Sequence, residues 1–298
     1  LDRKCPFWNS IITNTTSTLQ TVPKSNAPAR SKNRSSLKCV AAVDCGTTTT
    51  KCALVDLAGR MVVEHESPSP LIAAPDGAVT CNAAALFDGV CRGLAACTAE
   101  AAAQRRIEII GCCVTNQRAT LVPVDKTDAP VGPALSWQDM RGGALLAELR
   151  RRVPDESYFG ITGLPYFPAF TIAKILWLRE KEPERFRRIR RFTLVHDFVL
   201  RGLGAEWATD LSNASLTGLL DVTRREWSAL LLEQTGIRAD QLNPLCEPGV
   251  VVGRVTAEAA ARTGLPAGTP LAAGAGDQQC AGIDAGAVDP GTVEITMG

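Results

Sequence analysis

The stretch AGAGDQQCAG (residues 273–282) places one carboxylate, Asp277, between glycines and two glutamines. A dinucleotide-binding loop requires GxGxxG, but Gln279 stands where the third glycine should be, so that motif is absent. An Asp after a strand of small residues is typical of an N-cap or first-turn residue, here of a helix beginning at Gln278. Capping would explain Asp277 but not the paired glutamines, so a catalytic carboxylate is the competing hypothesis.

A second stretch, DCGTTTTK (residues 44–51), combines a carboxylate, a glycine, four hydroxyls and a lysine. It is not a Walker P-loop, which requires GxxxxGK[ST]. Backbone N–H groups and hydroxyls in a tight turn can still bind an anion. Asp44 ends a buried strand, where a carboxylate is costly unless it binds a cation or a donor. Magnesium associated with nucleotide phosphates would meet that need, and a purely structural turn is the alternative.

Two further segments carry hydrogen-bonding groups. VTNQRATLVPVD (residues 114–125) places Arg118 and two amides directly after a buried strand, where the sites of α/β proteins lie. LSWQDMR (residues 135–141) pairs the indole of Trp137 with Asp139. An aromatic face beside amides and carboxylates suits sugar hydroxyls, although Trp137 could equally be a core residue.

The elements that position these segments follow from hydrophobic periodicity. It predicts an antiparallel meander of three strands from residue 39, a helix over 82–104 and a buried strand over 107–115. A hairpin around the KTDAP turn, two helices between residues 139 and 189, and a helix containing Trp227 are predicted next. Strands alternating with helices indicate a layered α/β fold.

Composition excludes several classes of protein. The 298 residues are 45% hydrophobic and 21% charged with a net charge of +1, which is typical of a globular chain of one large or two smaller domains. Beyond the basic first forty residues the chain is mildly acidic, so no nucleic acid is expected as a partner. No apolar run is long enough for a membrane span. The 11 cysteines form no CxxC pair, which favours buried thiols in a reducing compartment, and the two histidines lie in no suggestive context.

The first 39 residues are rich in Ser, Thr and Asn, basic and almost free of acid. Such a composition cannot bury a core, so we predict a disordered tail. It is also similar to an organellar transit peptide. We therefore expect a cytoplasmic protein, with organellar targeting as the alternative.

Taken together and in their order along the chain, the four segments resemble the FGGY carbohydrate kinases, the family that includes glycerol kinase and xylulokinase. VDCGTTTTK is similar to the family's first phosphate loop, TNQRAT to the substrate loop of its glycerol-kinase branch, and SWQDMR to its Trp-x-Asp-x-Arg element. The likeness extends over about residues 40–298. It implies an α/β, ribonuclease-H-like fold of the actin-like ATPase type, with a mixed sheet flanked by helices and two such domains around nucleotide and substrate.

The resemblance also implies roles for single residues, with ATP and Mg²⁺ as cofactors. Asp277 would be the catalytic base that takes a proton from the substrate hydroxyl, a contribution of roughly 10²–10⁴-fold. The substrate-binding residues would be Arg118, Trp137, Asp139 and Gln278. The ATP phosphates would be bound by Gly46, Thr47, Thr48 and Lys51, with Asp44 on the magnesium side.

Two departures bear on the substrate. The glutamate and the tyrosine that contact glycerol in glycerol kinases are replaced here by Ala119 and Ala169. A site that loses such partners discriminates poorly for the old substrate, so glycerol is disfavoured. The methionine–histidine loop typical of xylulokinases is absent too. The substrate class is therefore a sugar, a sugar acid or a polyol.

The resemblance divides the chain into the tail, an N-terminal kinase domain over 40–272 and the beginning of a C-terminal domain over 273–298. We expect ATP-dependent phosphorylation of a small carbohydrate, with the isolated chain poorly active because most of the second domain is missing. A non-catalytic sugar-binding or regulatory paralog is the alternative. The only expected partner is the small-molecule substrate, without nucleic acid or membrane, and a homodimer is left open.

Overall fold

The computed structural model describes residues 36–104 and 106–295, so the predictions for the tail before residue 36 lie outside the described residues. The strands are β1 Leu37–Cys45, β2 Thr49–Asp56, β3 Met61–Pro68, β4 Leu71–Ala73, β5 Val79–Cys81, β6 Ile107–Asn116, β7 Leu121–Val124, β8 Ala134–Leu135, β9 Arg191–Leu194, β10 Thr209–Asp210, β11 Leu220–Asp221, β12 Glu226–Trp227, β13 Leu245–Cys246, β14 Val251–Arg254 and β15 Pro270–Gly276. The helices are α1 Ala83–Gln104, α2 Gly143–Arg152, α3 Asp155–Thr162, α4 Thr171–Lys181, α5 Pro183–Arg188, α6 Val195–Leu203, α7 Leu211–Ser215, α8 Ala229–Thr235, α9 Ala257–Thr263 and α10 Asp277–Asp284.

A six-stranded mixed sheet organises the fold in the order β14-β15-β6-β1-β2-β3. The first three strands form the predicted antiparallel meander. β6 runs parallel to both β1 and β15, and helices lie in the connections that precede β6 and β15, as parallel pairing requires. β14, at the edge, pairs antiparallel with β15. The carboxyl ends of β1, β6 and β15 therefore meet at one edge of the sheet.

Within the described residues, the strands and helices pack into two hydrophobic cores. The inward residues of β1 (Cys39, Ala41, Val43 and Cys45) are fully buried against the first core, to which α1 and α6 also contribute. The second core lies among α2, α3, α4 and α8. A five-stranded antiparallel sheet in the order β4-β5-β8-β7-β9 contains the predicted hairpin around the KTDAP turn. The result is the expected α/β architecture with a mixed sheet flanked by helices.

Two predicted elements differ from the structure. The second of the predicted helices is divided into α4 and α5 at Glu182, because Pro183 lacks an N–H and disfavours helical backbone in the residue before it. Trp227 lies in β12, and the helix predicted to contain it begins at Ala229, with Ser228 as its N-cap. The predicted domain boundary after residue 272 falls within β15 and stays a prediction.

Candidate functional site

A cavity of about 300 Å³ lies at the edge where β1, β6 and β15 end. Its lining residues are Thr47, Gln117, Arg118, Ala119, Trp137, Ala169, Leu216, Asp277 and Gln278. The sequence predicted Thr47, Arg118, Trp137, Asp277 and Gln278 as site residues, and the structure brings these five together.

Asp277 is the first residue of α10 and is half-buried. Gly276 is the N-cap, so Asp277 is a first-turn residue rather than the cap itself. Its Oδ1 accepts a hydrogen bond from the backbone N–H of Gln278 at 2.8 Å. The partial positive charge of a helix N-terminus stabilises a carboxylate there. Asp277 is thus fixed at the cavity while part of its surface is free to meet a ligand.

Thr47 connects three of the loops around the cavity. Its Oγ1 accepts a hydrogen bond from the indole Nε1–H of Trp137 at 2.9 Å. The same hydroxyl donates to Oε1 of Gln117 at 3.1 Å, and Nε2 of Gln117 donates to the carbonyl of Gly46 at 3.2 Å. Because the indole N–H already has a partner, Trp137 contributes to the cavity lining chiefly as an aromatic surface.

Arg118 supplies the positive charge of the cavity wall. Its Nη1 donates to the carbonyl of Ser212 at 3.3 Å. A Cβ on Gly276 would lie 2.3 Å from Cδ of Arg118, so the glycine makes room for the arginine stem. Burial lowers the pKa of Arg118, while the carboxylates of Asp277 and Asp210 raise it. A charged donor and a carboxylate acceptor therefore face the same space, which suits a substrate hydroxyl.

Asp44 has an uncompensated carboxylate close to this cavity. Its Oδ1 is buried and has no hydrogen-bond partner among the described residues. Burial raises the pKa of Asp44, Asp277 raises it further, and Lys51 partly counters both. Mg²⁺ prefers such hard oxygen ligands and is usually bound by one or two carboxylates together with phosphates and water. Asp44 therefore fits the magnesium role, although residues 36–104 and 106–295 contain no group of three or more His, Cys, Asp or Glu that could hold a metal unaided.

Lys51 and Thr48, both predicted to bind phosphate, lie outside the cavity lining. Lys51 pairs across the sheet with Asp44 but forms ion pairs with Glu64 at 4.0 Å and Glu66 at 3.9 Å on the neighbouring strand. Thr48 is exposed in the turn after β1. Gly46 precedes Thr47 in the same turn, and a Cβ added to it would lie 2.8 Å from the carbonyl oxygen of Thr49.

Asp139, predicted to bind substrate, is buried and does not line the cavity. Its carboxylate accepts hydrogen bonds from Nε of Arg141 at 3.0 Å and Nη2 at 2.7 Å. The guanidinium of Arg141 in turn stacks on Trp177 at 3.8 Å. This geometry favours a role for Asp139 in holding the loop that carries Trp137.

Three residues of the cavity lining have apolar side chains, and we refer to them together as the apolar wall: Ala119, Ala169 and Leu216. Ala119 is fully buried and has a left-handed backbone with φ of 61°.

A buried lysine lies behind Ala169. The carbonyl of Ala169 accepts a hydrogen bond from the amine of Lys174 at 2.5 Å. Burial lowers the pKa of Lys174 to about 7, with Asp139 opposing the shift.

Gln117 and Leu216 line the cavity but were not among the predicted site residues. The sequence places the amide of Gln117 beside Arg118 at the end of a buried strand, so Gln117 could have been predicted as a site residue. Leu216 lies in the polar segment ATDLSNASLTGLLDV and has no chemical signature in the sequence. Its position becomes apparent only when α7 is placed against β15.

No helix within residues 36–104 and 106–295 is both long and apolar enough to cross a membrane.

The sequence and the fold of this chain are similar to those of known proteins. Residues 39–283 match the model of the FGGY family of carbohydrate kinases, N-terminal domain. The chain is 30% identical over 274 residues to the autoinducer-2 kinase of Yersinia enterocolitica, covering 86% of this chain and 49% of that protein. It is 31% identical over 262 residues to the xylulose kinase of Bacillus subtilis, covering 88% of this chain and 52% of that protein.

Among solved structures, the xylulose kinase of Rhodospirillum rubrum superimposes with a TM-score of 0.81 at 30% identity, covering 85% of this chain and 52% of that one. The chain thus spans about half the length of the relatives it matches.

Proposed function

The chain belongs to the FGGY family of carbohydrate kinases, and from that premise we propose that it forms the acceptor side of a phosphoryl-transfer site. The reaction is transfer of the γ-phosphoryl group of ATP to a hydroxyl of a small carbohydrate. The observation that carries this proposal is the convergence of Asp277, Arg118 and Trp137 on one cavity. The unpaired carboxylate of Asp44 beside it supports a nucleotide with its magnesium on the adjoining side.

In this mechanism Asp277 is the base. Arg118 and Gln278 hold hydroxyls of the acceptor so that one of them lies against the carboxylate of Asp277. As that oxygen attacks the γ-phosphorus, Asp277 takes its proton, the new O–P bond forms, and the bond to the bridging oxygen of ADP breaks. When bound at Asp44, Mg²⁺ would neutralise phosphate charge. The remaining catalysis comes from positioning and charge stabilisation around the transferred group.

The acceptor is proposed to be larger than glycerol. Ala119 and Ala169 supply neither a carboxylate nor a phenol to the cavity, and together with Leu216 they leave its wall apolar. The face of Trp137 can stack against the less polar side of a sugar ring or chain. A sugar, a sugar acid or a longer polyol can use Arg118 and Asp277 at one end and this apolar wall at the other.

An acceptor screen tests the proposal. Sugars, sugar acids and polyols are added with γ-labelled ATP to the product of the whole reading frame that encodes this chain, and binding to the chain itself is followed by calorimetry. We expect one group of acceptors to bind and to accept label. Binding without transfer would favour a non-catalytic sugar-binding module, and the absence of both would contradict the proposal.

A further inference from the structure

The strand that leads to Asp277 contains a β-bulge. Along β15 and β6 the pairing runs from Leu271 opposite Cys112 to Ala273 opposite Val114, and resumes with Gly276 opposite Asn116. Residues 274 and 275 of β15 thus oppose the single residue 115 of β6. Bulges next to active sites re-aim the side chain that follows them.

Only glycine fits the first bulged position. A Cβ on Gly274 would lie 1.9 Å from the carbonyl oxygen of Val114, which no side chain could tolerate. The bulge also removes backbone groups from the regular ladder, and buried backbone groups need other partners.

Three side chains supply those partners. Nε2 of His196 accepts a hydrogen bond from the N–H of Gly274 at 3.1 Å. The hydroxyl of Thr115 donates to the carbonyl of Ala275 at 2.9 Å, and the hydroxyl of Ser212 accepts from the N–H of Gly276 at 2.9 Å. The three residues before Asp277 are therefore each held by a side chain.

The position of the proton on His196 follows from these contacts. The imidazole is fully buried, and its Nδ1 lies 2.9 Å from Oδ1 of Asp197 and 3.7 Å from Oδ2 of Asp210. Burial lowers the pKa of His196, but the hydrogen bond to Asp197 and the charge of Asp210 raise it above its ordinary value. A protonated Nε2 could not accept from the N–H of Gly274, so this hydrogen bond requires the neutral ring with its proton on Nδ1, which donates to Asp197.

Asp197 is itself fixed in the core. Its Oδ2 accepts from the hydroxyl of Thr209 at 2.5 Å and from the amide of Asn243 at 2.8 Å. The orientation of the His196 ring is thus determined by a buried polar network and not by packing alone.

We propose that His196 is a positioning residue for Asp277, whose neutral ring holds the bulge of β15 through the N–H of Gly274. A histidine that merely filled the core would have no need of an unprotonated Nε2 directed at the backbone of this strand. The inference rests on the proposed role of Asp277 as the base.

The ring tautomer is tested by ¹⁵N NMR of the whole chain. The sequence contains two histidines, so His65→Gln leaves His196 as the only remaining signal. The expected result is an unprotonated Nε2 and a protonated Nδ1 at neutral pH. An Nε2–H tautomer or a doubly protonated ring would overturn the proposal, and this readout needs no catalytic activity.

Substitution tests the consequence for Asp277. His196→Gln can present a carbonyl to Gly274 and an amide to Asp197, whereas His196→Leu can do neither. In the product of the whole reading frame we expect His196→Leu to lower kcat about 10- to 100-fold with less than about threefold change in acceptor KM, because a small misplacement of a reacting group carries such a cost. His196→Gln should recover most of the loss, and His65→Gln should be unaffected.

An unchanged kcat in a folded His196→Leu variant, or equal losses in both folded variants, would overturn the proposal. If His196→Leu does not fold, the amide chemical shift of Gly274 is compared between His196→Gln and wild type instead. We expect the two shifts to be close, and a His196→Gln shift near the value of the unfolded chain would overturn the proposal. If no acceptor is phosphorylated by wild type, the proposed function fails, whereas the tautomer and the Gly274 amide still decide the role of His196 in the bulge.

Discussion

The carboxylates at and near the cavity are only partly balanced by positively charged side chains. Asp44 and Asp277 are two carboxylates whose charges act on one another, and Arg118 and Lys51 offset them only in part. The sequence predicted all four as site residues, and the structure places Arg118 and Asp277 in the cavity lining with Asp44 and Lys51 outside it. Whether a given charge faces the cavity could not be predicted, since Asp139 pairs with Arg141 two residues further along the same loop and Lys51 pairs with Glu64 on the neighbouring strand.

Asp44→Asn tests the cost of that imbalance. The folded state raises the pKa of Asp44 above its usual value near 3.8, so the folded chain holds more protons than the unfolded chain just above that pH. The contribution of Asp44 to the free energy of unfolding therefore falls as the pH rises from the ordinary pKa through the higher pKa of the folded state. We expect Asn to leave the free energy of unfolding unchanged at pH 4 and to raise it at pH 7, as measured by urea unfolding.

Asp284→Asn is the control, because it removes one carboxylate at an exposed position of α10. If Asp44→Asn were less stable than wild type at pH 7, the carboxylate would have a partner that compensates its burial.

Ala119→Glu tests the apolar wall. The substitution places a carboxylate beside Arg118 in the fully buried position of Ala119 and reduces the cavity. We expect the ratio of kcat/KM for glycerol to that for the best wild-type acceptor to rise about tenfold or more, the range that one polar contact can give. Ala119→Gln has nearly the same size without the charge and should give a smaller gain. Glycerol as the best acceptor of the wild-type protein would show that the two alanines do not disfavour it.

The elements bring four separate loops to one place. The parallel order of β1, β6 and β15 explains why segments from residues 44, 116 and 277 meet, and this was predictable from the positions of strands in the sequence. The contact that joins the loops was not predictable, because the hydroxyl of Thr47 binds an indole and an amide that lie 90 and 70 residues away. The role of His196 was missed for the same reason, since its partner Gly274 is 78 residues distant.

Thr47→Val tests that connection between loops. Valine has the shape of threonine, but it leaves the indole N–H of Trp137 and Oε1 of Gln117 without this partner. A lost hydrogen bond of this kind costs about 1–3 kcal/mol, so we expect acceptor affinity to fall about tenfold and the indole N–H resonance of Trp137 to shift. Calorimetry and NMR measure the two effects. Thr48→Val changes the exposed neighbouring residue and should alter neither the acceptor affinity nor the indole resonance. An unaltered affinity in Thr47→Val would mean that other contacts hold the loops.

For the whole molecule, the sequence predicted the α/β class, the meander and the central helix, because long periodic segments report directly which faces are buried. It did not predict the break at Glu182 between α4 and α5 or the place of Trp227, where a proline and a short strand interrupt helical periodicity. The cavity lining combines Arg118 and Asp277, which follow strands of the central sheet, with Ala169 from the segment before α4. The family match covers both cores, and the division of the chain after residue 272 remains a proposal.

The most direct measurement compares Asp277→Asn with Asp284→Asn, two substitutions in the same helix, in the product of the whole reading frame. Phosphoryl transfer to the best acceptor gives kcat, and calorimetry gives the dissociation constant of that acceptor. If Asp277 is the base, its replacement lowers kcat by about 10²-fold or more, leaves acceptor binding within about threefold of wild type, and Asp284→Asn changes neither quantity. Retained transfer in Asp277→Asn would contradict the assignment of the base and with it the proposed role of this cavity.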